Sequence, residues 1–135
     1  MTAPILHLSI PVRDLDEAIE FYVQTLGCRP ARRRAGFADV WFYGMQVTLQ
    51  DRPHEAAVAP PDGTRHFGVT LGRADFDALV EHLDTCAVAW VVPVTTDDAG
   101  LATEQTKAKV ADPSGNVIEL KTYRDPAAAL EIASH

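Results

Sequence analysis

Twice along this chain a histidine opens a short strand-like run that leads into a helix-like run. His7 marks the first, Leu6-His7-Leu8-Ser9-Ile10-Pro11-Val12, ahead of Leu15, Ile19, Tyr22 and Leu26 at helical spacing. His66 begins the second, His66-Phe67-Gly68-Val69-Thr70-Leu71, ahead of Phe76, Leu79, Val80 and Leu83. Three further extended segments follow each helix, so each half reads β-α-β-β-β. A unit that must bury one face, present in two copies, leaves few folds open, and the expected class is α+β with two such modules.

The elements have local causes. Asp14 is a good N-cap, and Glu17 three residues on completes an Asp-x-x-Glu variant of the capping box. Gly27 stops that helix. Cys28 to Arg34 reads as an edge strand, because Pro30 lacks a donor and Arg32-Arg33-Arg34 blunts pairing with other chains. Phe37 to Tyr43 and Gln46 to Asp51 form a hairpin expected to turn at Gly44-Met45. Arg52 to Gly63 has loop composition and the length of a linker or flap.

In the second half a helix begins near Asp75. A buried strand is expected over Ala87 to Val94, a loop over Thr95 to Thr103, a strand over Glu104 to Ala111 and the last strand over Val117 to Tyr123. Pro126 to Ala133 reads as a short terminal helix. The whole chain, 1–135, is expected to be one domain: module one at about 5–51, a linker at about 52–64, module two at about 65–124, and a tail at 125–135.

Composition removes several function classes. The net charge of −7 and pI near 5.0 oppose a phosphate backbone, and no basic stripe interleaved with aromatics appears, so nucleic acid is not an expected partner. No apolar run approaches the roughly 20 residues that span a bilayer, and no signal peptide is recognisable, so the expected location is the cytoplasm with no membrane partner. Cys28 and Cys86 are too few and too far apart for a zinc knuckle or a disulfide framework. Small buried thiols at helix ends are the default reading of both, and a disulfide is left open.

The residue that does not belong to its surroundings is Glu119. Pro113 and Gly115 set a turn in Asp112-Pro113-Ser114-Gly115-Asn116, so Val117 onward should be extended, with Val117, Glu119, Lys121 and Tyr123 on one face. Aligning Gly44-Met45-Gln46-Val47-Thr48 with Gly115-Asn116-Val117-Ile118-Glu119 sets Thr48 at the place of Glu119. If a pseudo-twofold axis relates the halves, His7, Thr48, His66 and Glu119 occupy four matched positions. Three of these are good metal ligands: His7, His66 and Glu119. Such a set leaves coordination positions for a bidentate guest and suits non-haem Fe(II), with Mn, Co, Ni or Zn also compatible. The competing account makes the histidines satisfied core residues and pairs Glu119 with Lys121 or an arginine.

The His-opened strand followed by Val12-Arg13-Asp14-Leu15-Asp16-Glu17-Ala18, Phe21-Tyr22 and Leu26-Gly27, together with the Asp112-Pro113-Ser114-Gly115-Asn116 turn ahead of Ile118-Glu119, resembles the vicinal oxygen chelate superfamily. The likeness covers nearly the whole chain. That superfamily includes glyoxalase I, type I extradiol dioxygenases, fosfomycin-modifying enzymes and bleomycin-binding proteins. It implies modules that curl into half-barrels, with metal positions mapping onto His7, Thr48, His66 and Glu119. Glyoxalase I carries a carboxylate at the Thr48 place; extradiol dioxygenases use two His and one Glu, which this chain retains.

The nearest likeness is to small single-domain extradiol-type dioxygenases, through Phe42-Tyr43-Gly44-Met45-Gln46-Val47, Arg65-His66-Phe67-Gly68-Val69 and Glu119-Leu120-Lys121-Thr122-Tyr123-Arg124-Asp125. It implies ring cleavage of a small catechol-like or vicinal-diol substrate on Fe(II). Tyr123 is then the first candidate acid or base, Lys121 an anion-stabilising second and His54 a third. Arg32, Arg33 and Arg34 could receive an acidic substrate, although a solvated edge is the simpler account. His82 and His135 read as surface residues. The resemblance also implies a homodimer. Two rivals stand beside this: a metal-dependent isomerase or lyase of the glyoxalase type, and a drug-binding protein without turnover.

Overall fold

The computed structural model describes residues 3–56 and 64–130. Two units of the same β-α-β-β-β order are found, each built on one four-stranded mixed sheet. The first takes in residues 1–60 and 111–116, the second 61–110 and 117–135.

In the first unit the strands are β1 (His7–Val12), β2 (Arg29–Arg34), β3 (Phe37–Phe42) and β4 (Met45–Asp51), ordered β1-β4-β3-β2. β1 runs parallel to β4, and β3 antiparallel to it. Alternation separates the faces. Ile10, Val12, Ala38, Val40, Phe42, Val47 and Leu49 are buried with Ala18, Phe21, Tyr22 and Leu26 of the helix, which forms the module core. β2 is the exposed edge, as the proline and arginines predict, and its register against β3 shifts between Pro30 and Arg33.

The helix α1 (Leu15–Glu20) starts where expected, with the Asp14 side chain accepting from the Glu17 amide at 2.8 Å. Only half of the capping box forms. Glu17 turns instead to Arg13, at 2.9 and 2.6 Å, because a charged bidentate partner outcompetes one backbone amide. Beyond Glu20 the helix widens into a π turn over Phe21–Thr25, where the Leu26 amide reaches back to the Phe21 carbonyl at 2.9 Å. The β3–β4 turn falls on Tyr43-Gly44 and not on Gly44-Met45. Both residues have positive φ, 49° and 87°, as a two-residue hairpin turn requires.

In the second unit β5 (His66–Thr70), β6 (Ala89–Asp97), β7 (Gln105–Ala111) and β8 (Val117–Tyr123) are ordered β5-β8-β7-β6, with β5 parallel to β8. The helix α2 (Arg73–Thr85) buries Phe76 and Leu83, on the side of the sheet where Ala108, Val110, Ile118 and Leu120 are buried. Two expectations need correcting. β6 is not a buried run but a half-exposed edge strand that continues through Asp97, as its place in the strand order dictates. Cys86, after α2, is exposed, whereas Cys28 is buried and its thiol is pushed up to about 12 by that burial; both are free.

A single-turn helix of 3₁₀ type covers Pro126–Leu130. The expected tail beyond it, with His135, and residues 57–63 of the expected flap lie outside the described residues. No helix among the described residues is long and apolar enough to cross a membrane.

Candidate functional site

Parallel pairing of the first and last strands sets the polar face of each module. In module one His7 lies opposite Gln46 and Ser9 opposite Thr48; in module two His66 lies opposite Val117 and Gly68 opposite Glu119. Thr48 and Glu119 therefore hold equivalent register positions, as do His7 and His66. Gly68 is required where it stands: a Cβ there would overlap the carbonyl oxygen of Glu119. The absence of a side chain is what lets β5 lie so close beside the carboxylate-bearing residue.

In module two Glu119 is almost fully buried and is met from three sides. Oε2 lies 3.4 Å from His66 Nε2 and 3.7 Å from Lys109 Nζ, while Oε1 lies 3.2 Å from Lys121 Nζ. His66, Gly68, Thr70, Glu119 and Lys121 line an open hollow of about 320 Å³. Lys107, one position along β7 on the same face, is held 2.8 Å from Asp97 of β6; a hydrogen bond to Asp97 raises its ammonium above the ordinary value.

The orientation of His66 is set from behind, its Nδ1 lying 3.1 Å from the Thr64 carbonyl. A carbonyl accepts only, so Nδ1 carries the hydrogen. In a neutral ring Nε2 then presents a lone pair to a carboxylate oxygen, an arrangement that needs a proton or a cation between them. The 3.4 Å separation is compatible with the second: two donors each about 2.1 Å from one ion lie about 3.0 Å apart at an octahedral angle and about 3.4 Å apart at a tetrahedral one. The pair thus fits a shared divalent ion by spacing, tautomer and donor type.

In module one His7 is exposed on β1. Thr48 is not a vacant ligand position: its hydroxyl donates to Oδ1 of the buried Asp39 on β3 at 2.7 Å, and Arg32 closes on Oδ2 at 3.1 Å, with Gln46 Nε2 at 3.4 Å. His54 sits in an exposed turn after β4, and Tyr123 is half-buried at the end of β8. Within neither unit do three His, Cys, Asp or Glu side chains among the described residues gather closely enough to hold a metal. Sequence reasoning thus placed His66, Glu119 and Lys121 on one module, where they meet, and missed Lys109 and Asp39. The strand alternation Lys107, Lys109, Ala111 beside Glu119 was the available signal for the first.

The turn that feeds β8 belongs to the first unit and is tied down there. Asp112 Oδ1 accepts from the Ser114 and Asn116 amides, and Oδ2 from Tyr22 Oη and Asn116 Nδ2, all at 2.8 Å. Asn116 Nδ2 also donates to the Pro11 carbonyl, and the Arg13 amide to Ser114 Oγ, each at 2.9 Å. Burial pushes the Asp112 carboxyl above its ordinary range, against those hydrogen bonds.

Among solved structures, a glyoxalase/bleomycin resistance protein/dioxygenase from Alicyclobacillus acidocaldarius is 33% identical with a TM-score of 0.78, covering 93% of this chain and 95% of its own. The fosfomycin resistance protein FosX from Listeria monocytogenes shares the fold, with a TM-score of 0.74 at 12% identity over 95% of this chain and 98% of its own. A glyoxalase/bleomycin resistance protein/dioxygenase from Nocardioides does so at 0.64 and 20% identity, over 93% and 87%. Residues 4–120 match the family model of the Glyoxalase/Bleomycin resistance protein/Dioxygenase superfamily. With that match, the paired β-α-β-β-β modules and equivalent register positions at Thr48 and Glu119, the chain belongs to the glyoxalase/bleomycin resistance/dioxygenase, or vicinal oxygen chelate, superfamily.

Proposed function

We propose that this protein is a non-haem Fe(II) dioxygenase of extradiol type, with His7, His66 and Glu119 as its metal ligands. The observation that carries the reading is the His66 Nε2 to Glu119 Oε2 approach of 3.4 Å, with Nδ1 turned to the Thr64 carbonyl. His7 enters because it holds the register position in module one that His66 holds in module two. Many members of the superfamily bind divalent metals, and the retained two-His-one-Glu set, with Thr48 in place of a second carboxylate, is the extradiol pattern and not the four-ligand pattern of glyoxalase I.

When bound, the metal would supply the chelation of two vicinal oxygens and the O₂ chemistry of ring opening. This chain's residues do the rest. Lys121 directs an ammonium into the hollow and stabilises a deprotonated substrate hydroxyl. Tyr123, two residues further along the same face, exchanges the proton of the second hydroxyl, with His54 as an alternative carrier from its turn. Gly68 and Thr70 of β5, the strand paired with β8, line the hollow beside Glu119 and Lys121. The proposed substrate is a small catechol-like molecule, and the proposed assembly is a homodimer, which sedimentation would read directly.

The deciding experiment is metal analysis of protein purified without oxygen, followed by oxygen uptake with a panel of catechols. About one Fe(II) per chain, and uptake abolished in Glu119→Gln and His66→Ala, is the expected result. Bound Zn or Ni without uptake would overturn it in favour of an isomerase or lyase; no bound metal would favour a drug-binding protein.

A further inference from the structure

One row of residues crosses the whole sheet of module one. Pairing runs from His7 to Gln46, from Gln46 to Trp41 and from Trp41 to Arg29, so the four share a face. It is the face turned away from the core, since Ala38, Val40 and Phe42 carry the buried side of β3. With strands about 4.8 Å apart, Arg29 lies about 14 Å from His7 along the sheet, beyond any ion that His7 could hold.

At the far end of the row Arg29 and Trp41 open onto a hollow of about 570 Å³, lined also by Gly27, Cys28, Tyr43 and Gly44 and by no carboxylate. The arginines of β2 differ in what holds them. Arg32 meets Asp39 at 3.1 Å, Arg33 meets Asp16 at 2.7 Å, and Arg34 donates to the Arg33 carbonyl at 3.0 Å. The Arg29 side chain makes no hydrogen bond or ion pair among the described residues, so its donors stay open. An exposed arginine is ordinary by itself. Its neighbours in the hollow are not.

The half-buried Trp41 has no hydrogen bond on its indole nitrogen among the described residues, although a tryptophan so covered usually finds one. Tyr43 is 51% exposed at the hairpin turn with a φ of 49°, a backbone that asparagine or glycine takes far more readily than a bulky aromatic. A disfavoured conformation thus carries a ring that lines the hollow, braced edge to face by Phe42 at 5.0 Å. Two aromatic rings offer faces to a planar molecule, and a guanidinium and an indole N–H offer donors that no carboxylate takes.

We propose that this hollow binds a planar aromatic carboxylate, its ring against Trp41 and Tyr43 and its carboxylate on the Arg29 guanidinium. The inference goes beyond the metal reading and does not rest on it. None of the lining residues is a proposed ligand of the ion, so either reading can fail alone.

The probe is 2-naphthoate, and 2-naphthamide is its neutral counterpart of the same shape, each titrated by calorimetry into the full-length protein. The acid should bind about tenfold to a hundredfold more tightly, the range of one charge-assisted contact. The chain has two tryptophans, Trp41 and Trp90, so the indole N–H signals in NMR report where the probe sits. That of Trp41 should shift and saturate with the calorimetric affinity, and that of Trp90 should stay still. Arg29→Gln should bring the two affinities to within about twofold, and Arg29→Lys should keep part of the preference. Tyr43→Asn supplies a readout that damage to the fold would not mimic: it should raise the melting temperature by relieving the turn, and weaken 2-naphthoate about threefold to tenfold. A Trp41 signal that does not move, equal affinities in the unaltered protein, a preference that survives Arg29→Gln, or undiminished binding in Tyr43→Asn would overturn the proposal.

Discussion

Replacing Asp112 by alanine tests a side chain that is heavily hydrogen-bonded among the described residues. Its two oxygens accept four hydrogen bonds at 2.8 Å, one of them from the fully buried Tyr22 hydroxyl. A hydrogen bond to a charged acceptor is worth about 1.5–3 kcal/mol, and a buried donor left bare costs about 1–3 kcal/mol. The four bonds converge on one group and do not add. Removing the carboxylate also relieves the burial that raises its pKa. A net loss of about 3–5 kcal/mol follows, a large part of the roughly 5–15 kcal/mol that holds a domain together. Tyr22→Phe removes the donor without exposing an acceptor, because Oδ2 keeps Asn116 Nδ2, and should cost only about 1 kcal/mol.

Urea unfolding reads this directly: the midpoint should fall by about 2 M for Asp112→Ala at a slope typical of small proteins. Acidification adds a second readout. Because the folded carboxyl titrates above its ordinary value, the folded state binds its proton first as pH falls, and the unaltered protein gains stability relative to the variant down to the ordinary value of about 3.8. The gap between the two should therefore widen between pH 7 and pH 4.5. A loss below 1 kcal/mol would mean that water replaces the carboxylate, and a narrowing gap would mean that the four donors outweigh burial.

Two further outcomes follow from single contacts. Gly68→Ala drives a methyl into the Glu119 carbonyl and should cost about 2–4 kcal/mol, lowering the melting temperature by roughly 6–15 °C; a shift under 2 °C would show that β5 can move aside. Thr122 buries a hydroxyl with no hydrogen-bond partner among the described residues, so Thr122→Val should leave the melting temperature unchanged or raise it by a few degrees, and a drop beyond 3 °C would reveal a partner.

What the sequence made legible was whatever depends on neighbours along the chain: the two module patterns, the Asp14 cap, the β2 edge and the strand alternation around Glu119. What it hid depends on register. Placing the hairpin turn at Gly44-Met45 would pair Tyr43 with Gln46 and set Asp39 opposite Gln50. The actual turn at Tyr43-Gly44 pairs Phe42 with Met45 and Asp39 with Thr48. One residue at the turn thus moves the partner by two, and with it the carboxylate that occupies Thr48. Lys109 escaped notice for the same reason, since its relation to Glu119 exists only once β7 lies beside β8. The π turn also rests on a choice no composition reveals, the Phe21 carbonyl taking Leu26 as its donor.

That register also explains why the matched positions of the two modules are not chemically interchangeable. In module one the carboxylate has moved one strand over, to Asp39, where Thr48, Arg32 and Gln46 satisfy it and leave a closed polar cluster. In module two the carboxylate sits on the last strand itself and is approached by a histidine and two lysines. A glutamate placed at Thr48 would not restore a four-ligand set by itself, because it would meet the Asp39 carboxylate across the β3–β4 pair and displace the hydroxyl that now donates to it. Converting this chain toward a four-ligand metal site would require removing Asp39 as well, and Arg32 would then lose its buried partner.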